Sequence, residues 1–228
     1  MPTPRIVVGL LLSMSNARAS LPLSCCLLFL RLAPAKAKPQ YPLIPPPPAT
    51  GLMTTSADLL GDGRRERIVV DPSRDPTLTV SVGGRPAGHA VQKNWHPWKL
   101  MTADLLGDGH REIVVGIYKP TRYFPFPHNC LFVYSWTGKE LVPRWLGSSL
   151  ALRYLDFSFG HVSGNRKEQL VAVEGQLNGK QCIECYEWSG FGFSSLWRKG
   201  NWNRVQIVRV ADGRVTVRAD GKMEAISL

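Results

Sequence analysis

The sequence has no acid in its first segment and no apolar run that is long enough to span a bilayer. Residues 1–37 contain no Asp or Glu, and neither of their two apolar runs reaches the ~20 residues that a membrane helix needs. Arg18 precedes the second run and an A-x-A motif at 35–37 follows it, which is the pattern of a secretory signal. We therefore expect a signal peptide at 1–37, with Met14 as an alternative start, and a protein that is secreted or associated with the cell envelope. An uncleaved anchor or an untranslated extension is the alternative.

Cysteine is scarce beyond that segment. Cys25 and Cys26 lie within it, which leaves Cys130, Cys182 and Cys185. The last two form a C-x-x-C pattern inside a strand-like run, where residues three apart point to opposite faces. This spacing disfavours a disulfide, a redox pair or a zinc site between them. We expect all three to be buried thiols.

Strong charge blocks are also missing. Removing residues 1–37, which hold four Lys or Arg and no acid, lowers the net charge from +11 to +7. A positive charge attracts anionic partners, but scattered basic residues do not form a nucleic-acid stripe. We expect a monomer that binds a protein or a cell-surface polymer, with no specific nucleic-acid partner. Membrane contact is expected only through the signal or anchor.

The chain lacks the common catalytic signatures, since no H-E-x-x-H, G-x-S-x-G or phosphate-cradling glycine motif occurs. This absence favours a non-catalytic binding module. Two alternatives stay open, namely a hydrolase acting on an anionic polymer and a purely structural repeat domain. The hydrolase requires His96, His128 or His161 to meet a carboxylate.

What the sequence does contain is repetition. ADLLGDGRRERIVV at 57–70 returns as ADLLGDGHREIVVG at 103–116, and YSWTG at 134–138 returns as YEWSG at 186–190. The offsets of 46 and 52 residues are close to the length of a propeller blade. Short runs rich in Val, Ile, Tyr and Trp predict strands throughout 51–228. Four Trp residues recur with the repeat and are expected to pack between blades: Trp136, Trp145, Trp188 and Trp197.

These patterns predict an all-β fold, namely a small β-propeller of four blades in residues 51–228. We expect pairing of the N- and C-terminal strands to close the ring, because a closed ring hides unpaired strand edges. An open or partial propeller, or one completed by a partner chain, is the alternative. A proline-rich linker is expected at 38–50, where KPQYPLIPPPPAT favours an extended chain.

The acidic loops carry a family resemblance. D-x-x-G-D-G-x-x-E followed by I-V-V resembles the FG-GAP (VCBS-type) repeat of integrin-alpha-like β-propellers, including uncharacterised bacterial FG-GAP proteins. The resemblance covers residues 51–228 and implies calcium as a cofactor of the first two loops. The implied ligands are Asp58, Asp62, Glu66, Asp104, Asp108 and Glu112. Leu60 and Leu106 occupy the position where the family usually has Asp or Asn, so a second role stays open, in which the acids cap the turn through backbone N–H groups.

Two aromatic segments are the candidate ligand-binding surface. NWHPWK and KPTRYFPFPHN are irregular and rich in Pro or Asn, and they combine aromatic rings with basic residues. Such residues are favoured binding anchors. The candidate residues are Trp95, Trp98, Arg122, Tyr123, Phe124, Phe126 and His128.

Overall fold

Residues 51 onwards fold into consecutive antiparallel hairpins, because short apolar runs alternate with tight turns. The computed structural model describes residues 46–48, 51–147 and 149–227. The predicted signal peptide at 1–37 and most of the predicted linker at 38–50 therefore lie outside the described residues. Gly83 and Gly84 form one of these turns. Both have positive φ, which is the combination that a type I′ hairpin turn requires.

The strands form four sheets, and each sheet is a meander of strands that follow one another in the chain. Sheet 1 contains β1 (Met53–Ala57), β2 (Glu66–Val70), β3 (Leu78–Val82) and β4 (Arg85–Ala90). Sheet 2 contains β5 (Pro97–Ala103), β6 (Glu112–Lys119), β7 (His128–Trp136) and β8 (Leu141–Gly147). Sheet 3 contains β9 (Arg153–Gly160), β10 (Gln169–Gly175), β11 (Gln181–Trp188) and β12 (Phe193–Trp202). Sheet 4 contains β13 (Val205–Ala211), β14 (Arg214–Ala219) and β15 (Lys222–Ser227).

The prediction of an all-β fold is confirmed. The helical content of the described residues is a single 3₁₀ turn, Lys93–Trp95, between sheets 1 and 2. The last sheet has three strands and the other three have four. The repeated stretches at 57–70 and 103–116 lie in sheets 1 and 2, and those at 134–138 and 186–190 lie in sheets 2 and 3.

Sheets 2 and 3 are buried on both faces. In β6, Ile113 and Val115 pack into a cluster shared with sheet 1, whereas Val114 between them packs into a cluster shared with sheet 3. In β10, Leu170 faces sheet 2 and Val171 faces sheet 4 in the same way. Both strands consequently read as continuous apolar runs, as expected for strands with two covered faces.

Sheets 1 and 4 are covered on one face only. In β14, Val215 and Val217 are buried, whereas Arg214 and Arg218 on either side of them are exposed. This alternation is typical of a strand with one solvated face. In the described residues the buried clusters lie between sheets 1 and 2, 2 and 3, and 3 and 4, and none joins sheet 4 to sheet 1.

The expected closure by pairing of the terminal strands is therefore wrong. Strand β1 hydrogen-bonds to β2 and β15 hydrogen-bonds to β14, so the first and last strands of the described residues belong to different sheets. Closure of that kind needs the segment 51–58 to be the last strand of the blade that the C-terminal strands begin. The structure makes it the first strand of sheet 1, because the acidic loop connects two paired strands of one sheet instead of two sheets.

The recurring Trp residues pack between sheets, which confirms that prediction. Trp136 and Trp188 end equivalent strands and are buried in successive clusters. Trp145 and Trp197 lie partly buried against the second and third clusters.

Candidate functional site: the connection end and its cavity

Each sheet has two ends, and different loops lie at each end. The loops 58–65, 104–111 and 161–168 join the first and second strands of sheets 1, 2 and 3, and they define the acidic-loop end. The segments that lead from one sheet to the next start at the opposite end, which we call the connection end. It also contains the β6–β7 loop and Pro46–Pro48, which precede β1.

At the acidic-loop end, the carboxylate of Asp58 caps its own turn. Its oxygens accept the N–H groups of Leu60, Asp62 and Gly63 at 3.3, 3.2 and 2.7 Å. Desolvation raises the pKa of Asp58, but the hydrogen bonds from Gly63 and Asp62 outweigh it, so the pKa lies below its ordinary value. The geometry is that of an acid that holds a turn closed through the backbone.

The second loop repeats this arrangement closely. Asp104 accepts the N–H groups of Gly107, Asp108 and Gly109 at 2.7, 3.2 and 2.9 Å. Asp108 in turn accepts the N–H of His110 at 3.0 Å, as Asp62 accepts that of Arg64 at 2.9 Å. The sequence repeat is thus also a repeat of hydrogen bonds.

The glutamates of the two loops are buried within the chain. Glu66 Oε2 accepts the N–H of Leu59 at 2.9 Å, and Glu112 Oε2 accepts the N–H of Leu105 at 3.2 Å. Burial raises the pKa of Glu112, although the bond from Leu105 and the nearby Arg144 oppose the rise. Each glutamate therefore satisfies a buried backbone donor, which would otherwise cost free energy.

In the third loop, side-chain amide oxygens accept the backbone hydrogen bonds that carboxylate oxygens accept in the first two loops. Gln169 Oε1 accepts the N–H groups of Val162 and Ser163 at 2.7 and 3.1 Å, so Gln169 is the counterpart of the two buried glutamates. Asn165 Oδ1 accepts the N–H of Lys167 at 3.0 Å. The adjacent Glu168, which sequence reading would choose, instead forms an ion pair with Arg111 of sheet 2 at 2.9 Å.

Leu60 and Leu106 occupy the loop position at which a calcium ligand is expected in the FG-GAP pattern. Leu60 packs against the cluster between sheets 1 and 2, and Leu106 packs against the cluster between sheets 2 and 3. Among the described residues, no group of three or more His, Cys, Asp or Glu side chains is arranged to hold a metal ion. The hydrogen bonds support the capping role of the acids, and calcium binding stays a prediction.

At the connection end, the β6–β7 loop presents exposed aromatic rings. Tyr123 is 79% exposed, and Phe124 and Phe126 are 37% and 38% exposed. Arg122 is exposed beside them. The N–H of Thr121 donates to the carbonyl of Phe124 at 2.8 Å, which closes the loop into a turn. The structure thus brings four of the predicted ligand-binding residues together on one surface. We call this segment the aromatic loop (residues 119–127, the last residue of β6 and the β6–β7 loop).

His128 belongs to the base of that loop and is buried. Its Nδ1 lies 2.8 Å from the carbonyl oxygen of Phe126, and its ring packs edge-on against Phe124 at 5.3 Å. Its Nε2 lies 3.6 Å from Sγ of Cys130. His128 therefore positions the aromatic loop from beneath.

Trp95 and Trp98, the two tryptophans among the predicted ligand-binding residues, pack against other rings, whereas the rings of the aromatic loop are exposed. Trp95 packs edge-on against Phe132 at 5.4 Å, and Lys119 Nζ lies 4.3 Å from its ring centre. Trp98 packs against Phe157 at 5.6 Å, and its indole N–H is buried without a hydrogen-bond partner in the described part of the chain. Both rings are half-buried, and Trp98 borders a cavity.

That cavity was not predicted from the sequence. It has a volume of about 880 Å³ and lies at the connection end. Its walls come from segments far apart in the chain, including Pro46–Pro48, Asp75, His96, Trp98 and Tyr118. The motif NWHPW and the proline-rich run at 38–50 both contribute to this cavity, whereas its walls at Asp75 and Tyr118 belong to no sequence motif.

The three histidines named in the hydrolase alternative lie in different places. His96 lines the cavity, His128 lies under the aromatic loop, and His161 lies at the acidic-loop end with Nδ1 at 3.2 Å from the carbonyl of Lys167.

A buried polar cluster in sheet 3 was also missed. Tyr186 donates to Glu174 Oε1 at 2.6 Å, and Arg198 Nε donates to Glu184 Oε2 at 2.5 Å. Glu174 Oε2 is 3.9 Å from the same guanidinium. One cation therefore serves two buried carboxyl groups, and burial raises the pKa of Glu174 to about 7.

The cysteines of the described residues are buried thiols that form no disulfide, as predicted. Burial raises the pKa of Cys130 and Cys185 to about 12 and that of Cys182 to about 11. Such thiols are poor nucleophiles at neutral pH. In the same part of the chain, no helix has the length and hydropathy needed to cross a membrane.

Comparisons with known proteins leave the family open. No family model matches the chain, and no curated protein matches it. A solved structure described as "Structure of a Xanthomonas Type IV Secretion System related protein" is similar at 16% identity and a TM-score of 0.28. The similarity covers 80% of this chain and 85% of that chain.

Proposed function

We propose that the four sheets are the blades of a small, open β-propeller built from FG-GAP-like repeats. Successive sheets are packed through shared clusters, and the first strands β1, β5, β9 and β13 lie next to one another in series. The acidic loops link neighbouring blades, as in the bond from the N–H of Glu168 to the carbonyl of Asp104 at 2.8 Å. Such links join neighbouring blades at the acidic-loop end.

We infer that the protein is an exported, non-catalytic binding module that uses the connection end. The observation that carries this proposal is the exposure of the aromatic loop, whereas the acids of the opposite end are engaged with their own backbone. Tyrosine, phenylalanine and arginine supply large contact areas at binding surfaces. The loop contains Lys119 and Arg122 and no acid, so its charge suits an anionic protein surface or surface polymer.

The test is binding of the purified full chain to immobilised dextran sulfate, with uncharged dextran as the reference. The Arg122→Ala, Tyr123→Ala double variant is expected to lose most of the binding. Phe191→Ala is the matched control, because Phe191 is 85% exposed but lies in the β11–β12 turn at the acidic-loop end. Equal loss in both variants would show that the connection end is not the binding surface.

Export is part of the same proposal. Amino-terminal sequencing of the protein recovered outside the cytoplasm is expected to begin at Lys38, directly after the A-x-A motif. Recovery of the whole chain from Met1 or Met14 in the membrane fraction would favour the uncleaved anchor instead.

A further inference from the structure

A proline segment lies across a depression at the connection end. Two cavities, of about 880 and 710 Å³, share two walls, namely Pro46–Pro48 and Trp98. The first cavity extends towards Asp75 and the second towards Arg204. The two cavities are therefore neighbouring parts of one groove, which the prolines divide.

The lining of this groove combines ring surfaces with hydrogen-bond donors. The rings are those of His96, Trp98 and Tyr118. The donor side chains are Gln92, Lys93 and Asn94 in the first cavity, and Gln181, Arg204 and Gln206 in the second. The lining contains two acids, Asp75 and Asp156, and Lys99 Nζ binds Asp156 at 2.6 Å.

This lining is complementary to a run of prolines. Proline has no N–H, so a proline run offers only carbonyl acceptors and apolar rings. The fixed φ of proline favours the extended polyproline II helix, which loses little conformational entropy on binding. Aromatic grooves recognise proline-rich segments for this reason. The donors and rings of the groove match the acceptors and rings of such a segment.

The chain's own prolines fill the groove only in part. Pro46 and Pro48 are exposed, and Pro47 is half-buried. Trp98 borders both cavities and keeps an indole donor without a hydrogen-bond partner in the described part of the chain. Volumes of this size are typical of ligand sites. The groove can therefore accommodate a longer proline strand than the one that lies on it.

We propose that this groove is a binding site for proline-rich peptide segments of a partner protein, in the polyproline II conformation. Pro46–Pro48 is its resident occupant, which a partner segment displaces. The site goes beyond the proposed function, because it uses Trp98, Tyr118 and Arg204 and does not use the aromatic loop. The tethered occupant competes at a high effective concentration, so it weakens the binding of a partner until it is displaced.

The test uses the full chain and a fluorescent peptide with the sequence of residues 41–48, YPLIPPPP. Anisotropy measures the Kd for the natural chain and for a variant with Pro46, Pro47 and Pro48 replaced by Gly. We expect the variant to bind the peptide roughly tenfold more tightly, because the tethered competitor is weakened. A peptide with every proline replaced by alanine is expected not to bind.

Variants of the groove wall locate the binding. In the triple-glycine background, Tyr118→Ala is expected to weaken peptide binding at least about tenfold. Arg204→Ala, at an exposed residue, is the second variant and keeps the test valid if Tyr118→Ala unfolds. Tyr123→Ala is the matched control, since it removes an aromatic ring of the connection end outside the groove.

The possible outcomes distinguish binding in the groove from binding at the aromatic loop. The proposal is overturned if the triple-glycine chain does not bind the peptide, if the alanine peptide binds equally well, or if Tyr123→Ala weakens peptide binding as much as Arg204→Ala and Tyr118→Ala do. Loss of dextran sulfate binding in the Tyr123 variant, with peptide binding unchanged, supports the groove independently of the aromatic loop.

Discussion

The hydroxyl of Tyr186 donates a hydrogen bond of 2.6 Å to Oε1 of Glu174 inside sheet 3. Burial raises the pKa of Glu174 from 4.5 to about 7, and the neighbouring Glu184 adds to the rise while the bond from Tyr186 opposes it. The folded state therefore keeps a proton on Glu174 that the unfolded state releases between about pH 4.5 and 7. This proton couples the stability of the sheet to pH.

The first prediction follows from the sign of that shift. The contribution of Glu174 to the free energy of unfolding is expected to fall by about 3 kcal/mol as the pH rises from 4.5 to 7, and to be constant above that range. Urea unfolding at several pH values measures it. Glu174→Gln should remove this slope, whereas Glu187→Gln, at a half-buried acid of the neighbouring strand β11, should retain it. An identical pH slope in the natural chain and in Glu174→Gln would contradict the prediction.

The second prediction concerns the buried glutamate of the first acidic loop. Gln169 makes with an amide oxygen the bond that Glu66 makes with a carboxylate oxygen. We therefore expect Glu66→Gln to change the free energy of unfolding by less than about 1 kcal/mol, and Glu66→Ala to lower it by about 1–3 kcal/mol, because the N–H of Leu59 then loses its acceptor. Chemical denaturation of the two variants side by side checks this. Equal losses would mean that the hydrogen bond has no part in stability.

The third prediction separates turn capping from calcium binding. Asp62→Ala together with Asp108→Ala removes the acceptors of two loop N–H groups. We expect the variant to have a lower Tm than the natural chain by the same amount in millimolar calcium and in chelator. A calcium-dependent rise in the Tm of the natural chain, absent from the variant, would instead identify metal sites, because a ligand that binds only the folded state stabilises it.

The fourth prediction concerns the packing of sheet 2 on sheet 3. A Cβ at Gly116 would lie 2.8 Å from Trp98 Cε2 and 3.0 Å from Phe157 Cε1. Gly116→Ala should therefore lower the free energy of unfolding by about 1–3 kcal/mol, as overpacking does. Gly175→Ala is the matched control in β10, where the nearest atom lies at 3.8 Å. If both variants have the natural stability, the close contact at Trp98 does not constrain the fold.

Local features of the fold could be predicted because they depend on residues that are near one another in the chain. The acidic loop is a turn closed by its own Asp, so Asp58 and Asp104 mark it in the sequence. Trp136 and Trp188 recur at equivalent strand ends, and repetition identified them as packing residues.

Long-range features could not be predicted in the same way. The exposure of Arg214 and Arg218 marks a solvated face on sheet 4, but only the strand pairing shows that, among the described residues, β1 does not pair with β15. Glu168 and Gln169 are adjacent, and the choice of which one points into the loop depends on the strand register. The groove brings together Pro46 and Arg204, which no local pattern connects.

The most direct test of the account is a hydrogen–deuterium exchange map of the full chain with and without dextran sulfate. The proposed binding end predicts new protection in residues 119–127 and unchanged exchange in the acidic loops 58–65 and 104–111. Protection confined to the acidic loops, with the aromatic loop unchanged, would contradict the central claim that the protein binds its partner through the connection end.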